Sequence, residues 1–228
     1  MNRCITLFCF LILACNSDEI DPDLIGVGYP FFPLNVGDFR VYDIEEINYQ
    51  FEMATTSNFQ FRTEVVDSFE NQAGETTYVI HTFERPDSAE DWDFIQTNSA
   101  RLTDTQAILI EGNIPELKLV FPIATGKTWD GNALNNLESD EFVMDSLFVP
   151  YITVAGDTIS ETLTVIQEDN QEFIVNLISN HEIYGLNMGL VYKEEIDLKY
   201  CREDDCIGQQ VVDNGRIFRQ SLVEYGTD

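Results

Sequence analysis

The sequence predicts an all-β, mainly antiparallel fold, either a two-sheet sandwich or a strongly curved meander. Three observations carry this. Segments rich in β-branched and aromatic residues recur along the chain, turn chemistry separates them, and stretches with a helical period are nearly absent. The composition agrees: 228 residues, 44% hydrophobic, with 16 Phe, 9 Tyr and 2 Trp, are enough to bury a real core.

The predicted strands, in order, are 39–47, 59–69, 76–83, 92–97, 107–111, 117–121, 141–149, 151–154, 161–167, 173–180, 189–198 and 216–225. Asn71-Gln72-Ala73-Gly74, Ala155-Gly156-Asp157, Glu168-Asp169-Asn170 and Asp213-Asn214-Gly215 read as hairpin turns. Alternation is clearest at 76–83, where Thr77, Val79, His81 and Phe83 share one face, as in an antiparallel sheet with one wet side. Phe32-Pro33-Leu34-Asn35-Val36-Gly37-Asp38-Phe39 is echoed by Phe121-Pro122-Ile123-Ala124-Thr125-Gly126-Lys127-Thr128-Trp129. Both are turns that deliver an aromatic into a following strand. Residues 28–228 are read as a single β-rich domain with a candidate internal repeat, 28–116 and 117–200.

The N-terminus specifies location. Arg3 and the free amine precede a mostly apolar run, 5–13, too short for the roughly 20 residues of a spanning helix. Small Ala14 then precedes Cys15. Residues 1–14 read as a signal peptide, and the Leu11-Ile12-Leu13-Ala14-Cys15 stretch resembles the lipobox of bacterial lipoproteins. That resemblance implies cleavage before Cys15 and acylation of its thiol, hence a tethered protein that does not span the bilayer. Residues 15–27, including Asn16-Ser17-Asp18-Glu19-Ile20-Asp21-Pro22-Asp23, form an acidic flexible tether. The acidic cluster resembles the surface-export signal of Bacteroidota lipoproteins, which implies an outer-membrane anchor with the cell surface favoured over the periplasmic face. Met188-Gly189-Leu190-Val191-Tyr192-Lys193-Glu194-Glu195, taken with Tyr29 to Tyr42, resembles lipid-anchored Bacteroidota envelope proteins that carry no assigned activity. The resemblance therefore supports class and location alone.

Forty-one acidic side chains face 12 basic ones, a net charge of −29. Such a field repels nucleic acid and anionic headgroups. The partners left are the membrane through the lipid anchor, an envelope protein or glycan, and divalent cations. Of five cysteines, Cys4 and Cys9 leave with the signal and Cys15 is acylated. Cys201 and Cys206 remain, and in an extracytoplasmic chain they pair as a disulfide closing a small acidic hairpin loop.

Catalytic motifs fail on inspection. Gly126-Lys127-Thr128 lacks the Gly four residues upstream that a phosphate loop requires. His181-Glu182 would need a second His where Gly185 stands. No Gly-x-Ser-x-Gly elbow exists, and His81 and His181 sit in strand contexts. Glu90, Asp91, Trp92 and Asp93 form the most suggestive local cluster, an aromatic platform among acids that suits a sugar ring or a cation. Asp87-Ser88-Ala89, Asp145-Ser146-Leu147 and Asp157-Thr158-Ile159 match the short O-glycosylation pattern of Bacteroidota. No catalytic residue, metal site or cofactor is assigned. The reading favours a non-enzymatic binding or scaffolding role at the envelope. Its alternatives are a glycan hydrolase using paired carboxylates and a carrier of a lipid or other apolar molecule in a β-cavity.

Overall fold

The computed structural model describes residues 24–170, 172 and 174–228. Its strands are β1 (Asp38–Gln50), β2 (Met53–Glu70), β3 (Thr76–Arg85), β4 (Asp93–Leu102), β5 (Gln106–Glu111), β6 (Ile114–Val120), β7 (Thr128–Asp130), β8 (Glu141–Ile152), β9 (Thr158–Asn170), β10 (Asn176–Gly185), β11 (Gly189–Tyr200) and β12 (Val212–Thr227). All pair antiparallel in one 12-stranded sheet of order β6-β5-β4-β3-β2-β1-β12-β11-β10-β9-β8-β7. This is the curved-meander form of the predicted all-β class.

The order has a simple logic. Two six-stranded meanders, β1–β6 and β7–β12, each connect neighbour to neighbour, and β1 zips to β12 through the register Asp38↔Thr227 to Gln50↔Asn214. The two echoed segments each lead into the first strand of one meander, β1 or β7. The junction falls between Val120 and Thr128, and the second meander runs to Thr227, beyond the 117–200 bounds read from the sequence.

The sheet curls until its two edges meet. Leu117 N donates to Gly131 O at 2.9 Å, Trp129 Nε1 to Leu117 O at 2.8 Å, and Asn135 Nδ2 to Pro115 O at 2.9 Å. These bonds satisfy edge groups that would otherwise be open templates for pairing. The result is a nearly closed barrel.

Inside, one apolar cluster unites Phe31, Ile108, Leu119, Trp129, Met144, Leu163 and Tyr184 with their neighbours from β5–β10. A smaller one gathers Tyr42, Ile44 and Phe218, with Phe59, Phe61 and Leu222 packed against it. One end of the barrel is crossed by the chain entering β1. A helical turn, α1 (Leu24–Val27), and a 3-10 turn, Tyr29–Phe31, tie down through Ile123 N to Val27 O and Asn187 N to Pro30 O. Gly28 separates the turns at φ 106°, and a Cβ there would lie 2.3 Å from Ile123 Cγ2. Leu24–Val27, placed in the tether by sequence, thus belong to the folded body, because their last carbonyl has a fixed acceptor role.

Three local corrections follow from pairing. Residues 128–130 form a strand because Trp129 pairs with Phe142. The two strands expected at 141–149 and 151–154 are one bulged strand, β8, with Pro150 accommodated at an irregularity. Glu168–Asn170 and Asp213–Gly215 lie within β9 and β12. The Asp-Asn-Gly residues instead anchor the neighbouring β1–β2 hairpin: Glu52 N donates to Asp213 O and Phe51 N to Asn214 Oδ1. Gly215 is demanded by close approach, since a Cβ would sit 2.2 Å from Asp197 O.

Candidate functional site: a cavity inside the barrel

Between the two apolar clusters the barrel interior is not filled. A cavity of about 540 Å³ remains, within the range that holds a small organic ligand. Its position follows from strand alternation. Arg40, Tyr42 and Glu46 of β1, Phe59, Phe61 and Thr63 of β2, and Arg216, Phe218 and Gln220 of β12 all point inward at period two. Phe32, Pro33 and Leu34 form its floor at the end crossed by the entering chain. Ile95, Glu195 and Arg216 line it and are also partly exposed, which places the mouth at the opposite end.

The wall combines aromatic and aliphatic surface with charged groups held in pairs. Lys118 Nζ lies 2.8 Å from Glu182 Oε1 and 2.7 Å from Glu116 Oε1, with Lys118 and Glu182 both buried. Tyr184 donates its hydroxyl to the second oxygen of Glu182. Burial works against charge on Glu182. Lys118, Lys193 and the hydrogen bonds from Lys118 and Tyr184 outweigh it and hold the carboxyl down at about 2. Burial likewise opposes charge on Lys118, but Glu182 and Glu116 outweigh it, and its pKa lies above the ordinary lysine value. The Tyr184 phenol is pushed well up by burial and then by Glu182. Burial also raises Tyr42, to about 12, and its hydroxyl donates to Leu190 O at 3.1 Å. This part of the wall is therefore a lysine fixed between two carboxylates and buttressed by neutral phenols.

Towards the mouth a charge ladder crosses three strands. Arg216 reaches Glu46 at 2.6 Å and Glu195 at 3.3 Å, and Lys193 reaches Glu195 at 2.6 Å. On the outer face of the same strands Arg219 bridges Glu45 at 2.7 Å and Glu194 at 2.6 Å. Such partly exposed pairs fix geometry more than they stabilise, at about 0–1 kcal/mol each.

The residues singled out by sequence fall elsewhere. Cys15 lies outside the described residues. Cys201 and Cys206 are joined by a disulfide, Cα–Cα 5.9 Å, in the β11–β12 connection. Glu90, Asp91 and Asp93 are exposed at the β3–β4 connection. Arg85 stacks its guanidinium over the Trp92 ring at 4.0 Å, so that face of the platform is already occupied. His81 packs edge-on against Phe83 and Phe94 on the outer face of the barrel, since its neighbours Ile80 and Thr82 line the cavity. His181 also faces outward, 4.0 Å from Glu194. None of these reaches the cavity. Among the described residues no group of three or more His, Cys, Asp or Glu side chains is arranged to hold a metal.

A shallow open groove on the outside gathers Glu138, Asp140, Glu141, Gln167 and Glu168. Burial raises the carboxyls of Asp140 and Glu168, with like charges nearby adding to it. Leu137 is its one apolar lining residue, so no aromatic surface is present to stack a sugar.

Sequence reasoning passed over the cavity residues. Two signals were present. Lys118 interrupts the apolar run Leu117-Lys118-Leu119-Val120-Phe121, and Glu182 is an acid in the otherwise strand-like stretch 176–185. A charge at an inward position of a buried strand requires a partner, but the sequence does not name it.

Fold and site thus define a nearly closed antiparallel meander with a ligand-sized interior. No protein-family model and no curated protein sequence matches the chain. Several solved structures are similar. One is a Bacteroides fragilis protein described as exported with a YmcC-like fold: 14% identity, TM-score 0.47, covering 86% of this chain and 99% of the other. A protein of Parabacteroides distasonis described as a lipoprotein gives 12% identity and TM-score 0.43, over 86% and 98% of the two chains. A domain from Vibrio parahaemolyticus described as outer membrane lipoprotein-sorting gives 12% identity and TM-score 0.18, over 84% and 86%. Identities and scores this low leave the fold resting on its own strand pairing.

Proposed function

We propose that this chain is a lipid-anchored envelope protein whose role is non-enzymatic: it binds a small, largely apolar molecule inside the barrel, held to the outer membrane through Cys15. The observation that carries the reading is the 540 Å³ cavity, walled by Phe59, Phe61, Ile80, Leu109 and Phe218. A folded domain fills such a space with side chains unless it serves an occupant, because interiors pack close to crystal density. The binding reading and the carrier reading from sequence converge on one site.

Paired-carboxylate hydrolysis is disfavoured by the same wall. A glycosidase needs one carboxyl kept protonated near neutrality beside a second that is ionised. Glu182 is held down to about 2, Glu46 and Glu195 are ion-paired with Arg216, Glu64 is ion-paired with Arg62, and Glu111 accepts from Asn98.

The test is a fluorescence titration of the purified protein with diphenylhexatriene, a hydrocarbon probe, beside Ile80→Trp, which fills the cavity. Saturable binding by the parent, lost in Ile80→Trp with an unchanged circular dichroism spectrum, is expected. Absence of saturable binding by the parent overturns the proposal. The anchor is tested separately: Cys15→Ser should move the protein from the membrane to the soluble fraction, and persistence in membranes overturns lipidation.

A further inference from the structure

The polar groups of the cavity wall specify more than an apolar occupant. Asn98 of β4 is 5% exposed and lines the cavity. Its Nδ2 makes two long hydrogen bonds, to Glu111 Oε1 at 3.3 Å and Thr82 Oγ1 at 3.4 Å. Its Oδ1 is buried and has no hydrogen-bond partner. The carboxylate at Glu111 fixes which end of the amide is which, since only the NH2 can donate to it. An unpaired buried acceptor costs about 1–3 kcal/mol, and a donor brought by a ligand would recover it. Oδ1 is turned away from the open space, and because the amide torsion is broad it reaches such a donor by rotating at the expense of the two long Nδ2 bonds, the weakest the amide could make.

The charges point the same way. Glu46, Glu64, Glu111, Glu182 and Glu195 face the cavity against Arg40, Lys118, Lys193 and Arg216. Three of the four cations are held by carboxylates: Lys118 by Glu116 and Glu182, Lys193 by Glu195, Arg216 by Glu46 and Glu195. Arg40, at the floor, donates to the main-chain carbonyls of Met188 and Pro33. An anionic head could reach the spare N–H groups of Arg40, but it would share the cavity with five carboxylates set against four cations, three of them already neutralised. A neutral donor meets no such repulsion.

Building on the proposed binding role, we infer that the cavity's ligand is an uncharged amphiphile whose O–H or N–H head donates to Asn98 Oδ1 while its hydrocarbon body lies against Phe59, Phe61 and Phe218. The site selects against fatty-acid-like anions of the same chain length.

Isothermal titration with decanol and decanoate at about pH 8, where the acid is ionised, tests this on the parent protein and on Asn98→Leu, with diphenylhexatriene titrated in parallel. Decanol should bind about tenfold more tightly than decanoate. Asn98→Leu should weaken decanol about fivefold, while diphenylhexatriene affinity stays within about twofold, which also reports that the cavity is intact. The inference is overturned if decanoate binds as well as decanol, or if Asn98→Leu leaves decanol affinity unchanged. Decanoate binding that is tight and lost in Arg40→Gln would overturn it by placing an anionic head at the floor. In each case retained diphenylhexatriene binding leaves the cavity-binding role standing. If neither decanol nor diphenylhexatriene binds the parent, both readings fall together.

Discussion

Removing the cation from the Lys118–Glu182 pair should be among the most damaging single changes in this protein. Lys118→Met keeps an unbranched apolar stem and deletes the charged end, leaving Glu182, which is 1% exposed, without the group 2.8 Å away that stabilises its ionised form. Glu182 is held at about 2 against an ordinary 4.5. At about 1.4 kcal/mol per unit this corresponds to roughly 3 kcal/mol of native-state preference for the carboxylate. That agrees with the about 3–5 kcal/mol typical of breaking one side of a buried pair. The sign with pH follows. A carboxyl whose folded value is depressed contributes stability above its unfolded value, about 4.5, and loses it as pH falls through about 2. Urea unfolding of the parent should therefore lose this contribution between those limits, on top of what other carboxylates lose, and Glu182→Gln should have a shallower slope there. At neutral pH, Lys118→Met should cost about 3 kcal/mol, and the double change Lys118→Met/Glu182→Leu should recover most of it. A cost below about 1 kcal/mol for Lys118→Met, or equal acid slopes in the parent and Glu182→Gln, would refute the assignment of this pair as a buried, mutually dependent unit.

Gly215→Ala should destabilise by more than about 2 kcal/mol, because its Cβ would lie 2.2 Å from Asp197 O. Gly74→Ala, at φ 79° in open space, should cost only about 1 kcal/mol, and equal costs would remove close approach as the cause. Trp129→Phe keeps the ring in its cluster and deletes the bond to Leu117 O across the seam of the barrel, so thermal unfolding should report a loss of about 1 kcal/mol. Cys201→Ser with Cys206→Ser opens a disulfide spanning a sequence separation of 5, for which the loop-entropy relation gives about 2 kcal/mol. A loss above about 4 kcal/mol in denaturant titrations would show that the bridge shapes the native β11–β12 connection beyond constraining the unfolded chain.

The sequence by itself determined the strand content, most strand positions, the Asn71–Gly74 and Ala155–Asp157 turns, the cysteine pairing and the acidic exterior. These are local properties, set by β-branched and aromatic enrichment, by residues that accept tight turns and by the spacing of two thiols. It did not determine Asp213-Asn214-Gly215. That tripeptide has the composition of a turn and yet sits in β12, because the distant backbone of β11 at Asp197 leaves no room for a side chain. The same limit hid the cavity. Alternation along 76–83 separates Val79, His81 and Phe83 from Ile80 and Thr82, but it does not say which set faces inward. Only closure of the sheet, through β1 with β12 and the Trp129 seam, decides that Ile80 and Thr82 line the interior and that Lys118 meets Glu182, 64 residues further along the chain. Partner choice across such distances depends on how twist and bulges accumulate over twelve strands, a property of the assembled sheet that no single segment encodes.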